Sequence, residues 1–180
     1  MPENSEMAGW FALTVKPRHE KAAAQNLRTR GLEDFLPLYH ARRIWSDRIQ
    51  TVDLPLFPGY VFCRFTTREW LQVLNTPGVS SIVGFGSRPA PVNDAEITAV
   101  RAMLASGLPL QPWPYIQAGD AVEIVGGALS GVRGIALREK GVDRVVVNVE
   151  LLRRSVAVEI DRSLLAATRP RPAAMVRSVN

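Results

Sequence analysis

Three prolines within six residues, Pro109, Pro112 and Pro114, divide this chain into two stretches with different hydrophobic rhythms. Proline fixes φ and lacks a backbone donor, so neither a helix nor a central strand is expected to run through such a segment. Residues 109–116 therefore read as a stiff linker in the polyproline conformation, holding its ends roughly 20 Å apart at about 3.1 Å per residue. Each flanking stretch must then bury its own apolar residues. Before the linker, period-two runs alternate with runs at helical spacing. After it, only period-two runs remain.

The first stretch, residues 8–108, opens with Phe11, Leu13 and Val15 on one face of a strand that Pro17 ends. Good helix formers follow from His19 to Arg30, with Ala23, Ala24 and Leu27 on one side and Gly31 placed to cap. Phe35 to Tyr39 is short and extended, and Arg42 to Asp53 reads as a charged hairpin arm. Leu56 to Phe65 is the most apolar strand of this half. Thr66 and Glu69 have capping-box spacing ahead of a helix carrying Trp70, Leu71, Val73 and Leu74, which stops at Pro77-Gly78. Val79 to Val83 is a strand, and Asn93 caps a third helix with Ile97, Val100 and Leu104 on one face and Gly107 at its end. The order β-α-β-β-α-β-α predicts an α+β fold: a ferredoxin-like split βαβ domain whose antiparallel sheet carries its helices on one side.

Residues 117–168 hold the sets Val122/Ile124, Val145/Val147/Val149 and Val156/Val158/Ile160, separated by Gly126-Gly127, Gly131, Gly134 and Gly141. Short strands with glycine corners predict a small all-β barrel. Residues 169–180, rich in Pro and Arg, read as a disordered tail.

Several function classes drop out. Cys63 is the only cysteine, within an apolar run, and reads as a small core residue. With His19 and His40 the only histidines, no phosphate loop, no paired ligand spacing and no nucleophile elbow, an enzyme is not expected, nor a metal or cofactor. No apolar run reaches the roughly 18–20 residues of a membrane span, and the polar, acidic start carries no export pattern, so a cytoplasmic protein is expected. Nothing demands more than a monomer. The net charge is +5, and only Lys16, Lys21 and Lys140 among the basic residues are not arginine. Such a balance permits contact with nucleic acid.

Taken in order, Trp10-Phe11, Lys16 with its following helix, Phe57-Pro58-Gly59-Tyr60-Val61, Arg88 to Val92, Gly119 to Ile124, Gly127, Gly134 and Ser155 to Ile160 resemble the NusG family. That family joins an amino-terminal domain to a KOW (SH3-like) barrel, and the resemblance spans roughly residues 9–168. Pro17 to Lys21, Phe35 to Leu38, Trp45 to Arg48 and Glu150 to Ser155 look like its UpxY-type specialised paralogues. The resemblance implies a factor for transcription elongation and antitermination, acting on particular operons. A general factor of the same family, and a KOW-type RNA-binding or ribosome-associated protein, remain alternatives.

It also implies sites. Phe57, Tyr60, Phe62 and Phe85 match positions that receive the clamp helices of the largest RNA polymerase subunit. Two helices cover one face of a sheet, which offers Tyr60 and Phe62 on the other. By itself the pattern also fits a set of core residues. Arg68, Glu69 and Trp70 stand where relatives touch the opposite lobe of the polymerase, although they depart from that motif and Trp70 also fits the core. Lys16 and Arg18 lie on the edge that relatives turn to non-template DNA. Arg28, Arg42, Arg43 and Arg48 extend the basic set, and Trp45 could stack on an unpaired base; solvated surface arginines are the plainer alternative. Gly127 to Gly134 matches the KOW loop, in which Gly134 permits a close backbone path that a side chain would block. Leu129 and Val132 replace aromatics that in general factors touch a termination factor or a ribosomal protein, or they pack the loop. Val145 to Val149, β-branched, favours a barrel over the helical hairpin some relatives adopt.

Overall fold

The computed structural model describes residues 8–45, 48–86 and 88–168, with the backbone alone at Arg43 and Trp45. The order is β1 (Gly9–Val15), α1 (Glu20–Thr29), β2 (Glu33–Phe35), β3 (Leu38–Trp45), β4 (Arg48–Pro55), β5 (Tyr60–Phe65), α2 (Trp70–Leu74) and β6 (Val79–Ile82). Then come β7 (Gly84–Phe85), β8 (Arg88–Pro89), β9 (Pro91–Val92) and α3 (Asp94–Ala105). The second half holds β10 (Leu110–Pro114), β11 (Asp120–Ile124), β12 (Arg133–Glu139), β13 (Val142–Val149), β14 (Arg154–Glu159) and β15 (Leu165–Ala167).

In the first half the sheet order is β2-β5-β1-β6, antiparallel throughout, with β9 also on β1. This is the split βαβ arrangement that the sequence predicts. Strand alternation sends Leu13, Val15, Val61, Cys63 and Phe65 to one face, where Ala23, Ala24 and Leu27 of α1 and Val73 of α2 cover them. The caps behave as their chemistry requires. Glu69 accepts from the Thr66 backbone N–H at 2.8 Å and from its hydroxyl at 2.9 Å, and the Asn93 side chain accepts from the N–H of Ala95 at 2.9 Å.

One expectation is corrected. The helices do not all lie on one side: α3 crosses the opposite face, placing Ile97, Val100 and Met103 over Trp10, Ala12, Leu56, Phe57, Phe62 and Val92. A chain with a third amphipathic helix has the means to cover both faces of its sheet, and burying roughly 1.5–3 kcal/mol of hydrophobic stabilisation per large side chain drives it to do so.

The second half is a six-stranded antiparallel sheet, β10-β14-β13-β12-β11-β15. The residues expected as a stiff linker are extended, and Leu110–Pro114 is in addition hydrogen-bonded as an edge strand to β14, pairing Leu110 with Val158 and Pro114 with Arg154. Prolines are tolerated there because an edge strand needs only half its backbone donors. The Asn148 side chain, donating to the Ile116 carbonyl at 2.7 Å and accepting from Ser155 at 2.6 Å, fastens the segment to the barrel. Val145, Val147, Val149, Val156 and Val158 fill the interior. The barrel rests on α3 through β13 and the loop after β11, and β10 approaches β3. The tail at 169–180 lies outside the described residues.

Candidate functional site

The segment from Leu56 to Phe62 turns sharply before entering β5. Gly59 takes φ +85°, where no neighbour lies within 4 Å of a hypothetical Cβ, so backbone conformation alone selects glycine there. Its N–H donates to the nearly buried carboxylate of Glu20 at 2.9 Å, and its carbonyl accepts from Val15 at 2.9 Å. Glu20 was not singled out by the sequence reading. It ties the first turn of α1 to this loop, and an acidic residue in a helix's first turn was the only available signal.

The four aromatic positions have different fates. Phe57 and Phe62 are 1% and 0% exposed, their rings edge to face at 5.5 Å, and Phe62 also stands 6.0 Å from Phe35. The expectation that they lie on an uncovered face is therefore corrected, because α3 occupies that face. Tyr60 is half-buried, in register with Thr14, which is in turn paired with Ser81 at the margin of the sheet. The hydroxyls of Thr14 and Ser81 are 2.6 Å apart. Phe85 is 78% exposed, on the tight β7–β8 pair. Gly84 makes that pair possible: a Cβ there would meet the Arg88 carbonyl oxygen at 2.0 Å. Trp70 is half-buried, between the two readings given to it.

From the barrel, the guanidinium of Arg154 lies 5.7 Å from the Tyr60 ring centre. Between them opens a shallow cleft of about 460 Å³, bordered by Trp113, Tyr115 and Arg153. Arg153 stacks on Tyr115 at 4.8 Å and Arg144 on Trp113 at 5.2 Å. The Tyr115 hydroxyl donates to the Glu150 carboxylate, and burial together with that bond raises its pKa. These arginine–aromatic pairs join residues distant in sequence, which left no periodic pattern to read.

The basic residues fall in three places. Lys16 and Arg18 are exposed in the turn between β1 and α1, and Arg18 holds the left-handed φ of +62°. Arg28, near the end of α1, is already engaged: Nε and Nη2 each reach a carboxylate oxygen of Asp34 at 2.9 Å, a hydrogen-bonded pair that raises the Arg28 pKa. The Asp34 side chain is only 4% exposed, so this pair supports the join between α1 and β2. Arg42 and Arg48 lie exposed on the β3–β4 arm. The side chains of Arg43 and Trp45 are outside the described residues.

In the loop after β11, Gly127 has φ +73°, while Leu129 and Val132 are buried, so both pack the loop. A Cβ at Gly134 would stand 2.6 Å from the Val146 carbonyl oxygen and 2.7 Å from Val145 Cγ1, which is the close backbone approach predicted there. Among the described residues, no cluster of three or more His, Cys, Asp or Glu side chains is placed to hold a metal, and no helix is long and apolar enough to cross a membrane.

Comparison with known proteins agrees with this geometry. A sequence model of the family described as NusG, transcription termination factor, matches residues 8–101. The chain is 27% identical over 168 residues to the transcription termination/antitermination protein NusG of Lactococcus lactis, covering 85% of this chain and 89% of that protein. With its counterpart from Streptococcus pyogenes the identity is 30% over 141 residues, covering 70% and 78%. A solved structure of Thermotoga maritima NusG, described as showing domain interaction, aligns over 92% of this chain and 100% of its own with a TM-score of 0.53 and 19% identity, a likeness of fold. A split βαβ domain matched over residues 8–101, followed by an all-β barrel, places this chain in the NusG family of transcription termination/antitermination factors.

Proposed function

We propose that this protein increases the processivity of RNA polymerase on particular operons, as UpxY-type members of the family do, by docking on the clamp helices of the largest subunit. The unit at residues 8–108 supplies the contact, and the KOW unit at 117–168 engages a second partner such as a ribosomal protein. The observation that carries the reading is the exposure of Phe85, an aromatic ring 78% open to solvent on a pair of strands held close by Gly84. The ring stands at a position that the family resemblance assigns to the polymerase contact, and its exposure leaves it open to a partner. Tyr60 adds to the contact from the sheet margin, with Phe57 and Phe62 fixing it from beneath. Full engagement of Tyr60 displaces Arg154 of the barrel, so docking and the barrel compete for that ring.

Lys16 and Arg18 face non-template DNA in this reading, with the arm bearing Arg42, Arg43, Trp45 and Arg48 reaching farther along it. Arg28 is the weakest member of that set, because Asp34 uses two of its five donors. The test is co-purification of the full chain with RNA polymerase, followed by run-off transcription through a terminator. Phe85→Ala should abolish capture and read-through while leaving the melting curve unchanged. Capture of this variant at the wild-type level refutes the docking assignment.

A further inference from the structure

Two of the most exposed large hydrophobic residues stand side by side at the outer end of the arm. Ile44 is 78% and Ile49 69% exposed, and they are direct cross-strand partners in the β3–β4 ladder. Their Cβ atoms share one face of the ribbon, about 5 Å apart. Six residues separate this rung from the base pair Leu38–Pro55, which puts it about 20 Å out along the arm. Such a length of two-stranded ribbon fits into a nucleic-acid groove.

The surroundings indicate the occupant. Residues 42–51 contain three arginines against one aspartate. By the register, Arg42 sits two rungs inward, the next position on the isoleucine face, and Arg48 projects from the other. Lower down, His40 Nδ1 and a carboxylate oxygen of Asp53 are hydrogen-bonded across the ladder at 2.6 Å. A second copy of the arm would set arginine against arginine. A polyanion with apolar faces between its charges suits the tip better, and base pairs between phosphates are that arrangement.

We infer that the Ile44–Ile49 rung is an apolar wedge: Ile44 and Ile49 enter a base step of duplex DNA bordering an unpaired region, while Arg42 and Arg48 hold the flanking phosphates. The inference rests on the DNA contact proposed for the arm and adds to it the residues that unstack the helix. Branched aliphatic side chains inserted this way part neighbouring bases and kink the duplex.

The test uses full-length protein and forked DNA carrying 2-aminopurine at the step next to the fork. Protein binding should brighten the probe. Ile44→Ser combined with Ile49→Ser should abolish the brightening and weaken binding about tenfold, with the slope of log K against log salt unchanged. Arg42→Ala combined with Arg48→Ala should instead flatten that slope by about 2. Both pairs are exposed, so a melting curve matching the parent confirms that each variant is folded. If the isoleucine variant binds and brightens like the parent, the wedge is refuted, and a flattened slope in the arginine variant shows that the DNA contact survives without it. Absence of DNA binding by the parent refutes both. Loss of binding to anionic phospholipid vesicles or to polymerase, with DNA binding intact, assigns the isoleucines to another partner and refutes the wedge.

Discussion

Phe62→Ala separates a folding role from a contact role more cleanly than any other single change. Phe62 was expected on an open face, yet it has no exposed surface and packs between Phe57 and Phe35 beneath α3. Removing a fully buried phenylalanine ring loses the transfer free energy of its apolar area and leaves a cavity, about 3–5 kcal/mol together. For a domain of roughly 100 residues, with about 4–8 °C of melting shift per kcal/mol, the midpoint should fall by at least about 12 °C. Circular dichroism on heating and in urea measures this directly, and the urea slope should hold while the midpoint drops. Phe85→Ala is the control, since an exposed ring contributes within about 0.5 kcal/mol to stability. Were Phe62→Ala to melt within about 1 kcal/mol of the parent while losing polymerase capture, α3 would not be covering this face in solution. The burial argument would then be wrong.

Gly134→Ala should disrupt the pairing of β12 with β13, because the new methyl group meets a strand carbonyl at 2.6 Å; loss of about 1–3 kcal/mol by urea melting tests it. Gly84→Ala should leave overall stability nearly intact but displace Phe85, read as lost polymerase capture without a change in the melting curve. Asn93→Ala removes the cap of α3 and should cost about 1 kcal/mol. Cys63 is buried, and that burial, with Asp34 and other carboxylates nearby, pushes its thiol up to about 12. It should therefore resist thiol reagents at pH 8 until the protein unfolds. The raised value favours the folded state fully below the ordinary thiol range, and stability from this group should be lost as pH climbs from about 9 towards 12. A midpoint in urea independent of pH across that window contradicts the assignment.

The elements were legible because their signals are local. Pro17, Gly31, Thr66 with Glu69, and Asn93 punctuate the chain by conformational or capping chemistry that each carries alone. The alternation in β5 correctly assigned Tyr60 and Phe62 to one face and Val61 to the other. What the alternation could not tell is what lies over each face, since that depends on a helix that begins about 30 residues later. The prolines of Leu110–Pro114 misled for a related reason. They forbid a helix and a central strand, but an edge strand also satisfies them, and only the pairing with β14 distinguishes it from a free linker. Glu20 and Gly84 escaped notice because their partners, Gly59 and Arg88, become neighbours only on folding.

Helix α3 explains why the candidate contact surface lies at the margins of the sheet. Its large residues Ile97, Val100 and Met103 point into the sheet, while Ala95, Ala99 and Ala102, at helical spacing on the other side, line a groove of about 640 Å³ against Val132, Ile135 and Val146 of the barrel. The first face is densely filled. The second is a stripe of small side chains with open volume between the surfaces, and unfilled volume forfeits the dispersion contacts that hold a packed core. The join of α3 to the sheet should therefore survive conditions that release the barrel. Aromatic rings trapped under α3 are committed to the fold, and those a partner can take must lie beyond its reach. Tyr60 at the sheet margin and Phe85 on its glycine-braced strand pair meet that requirement.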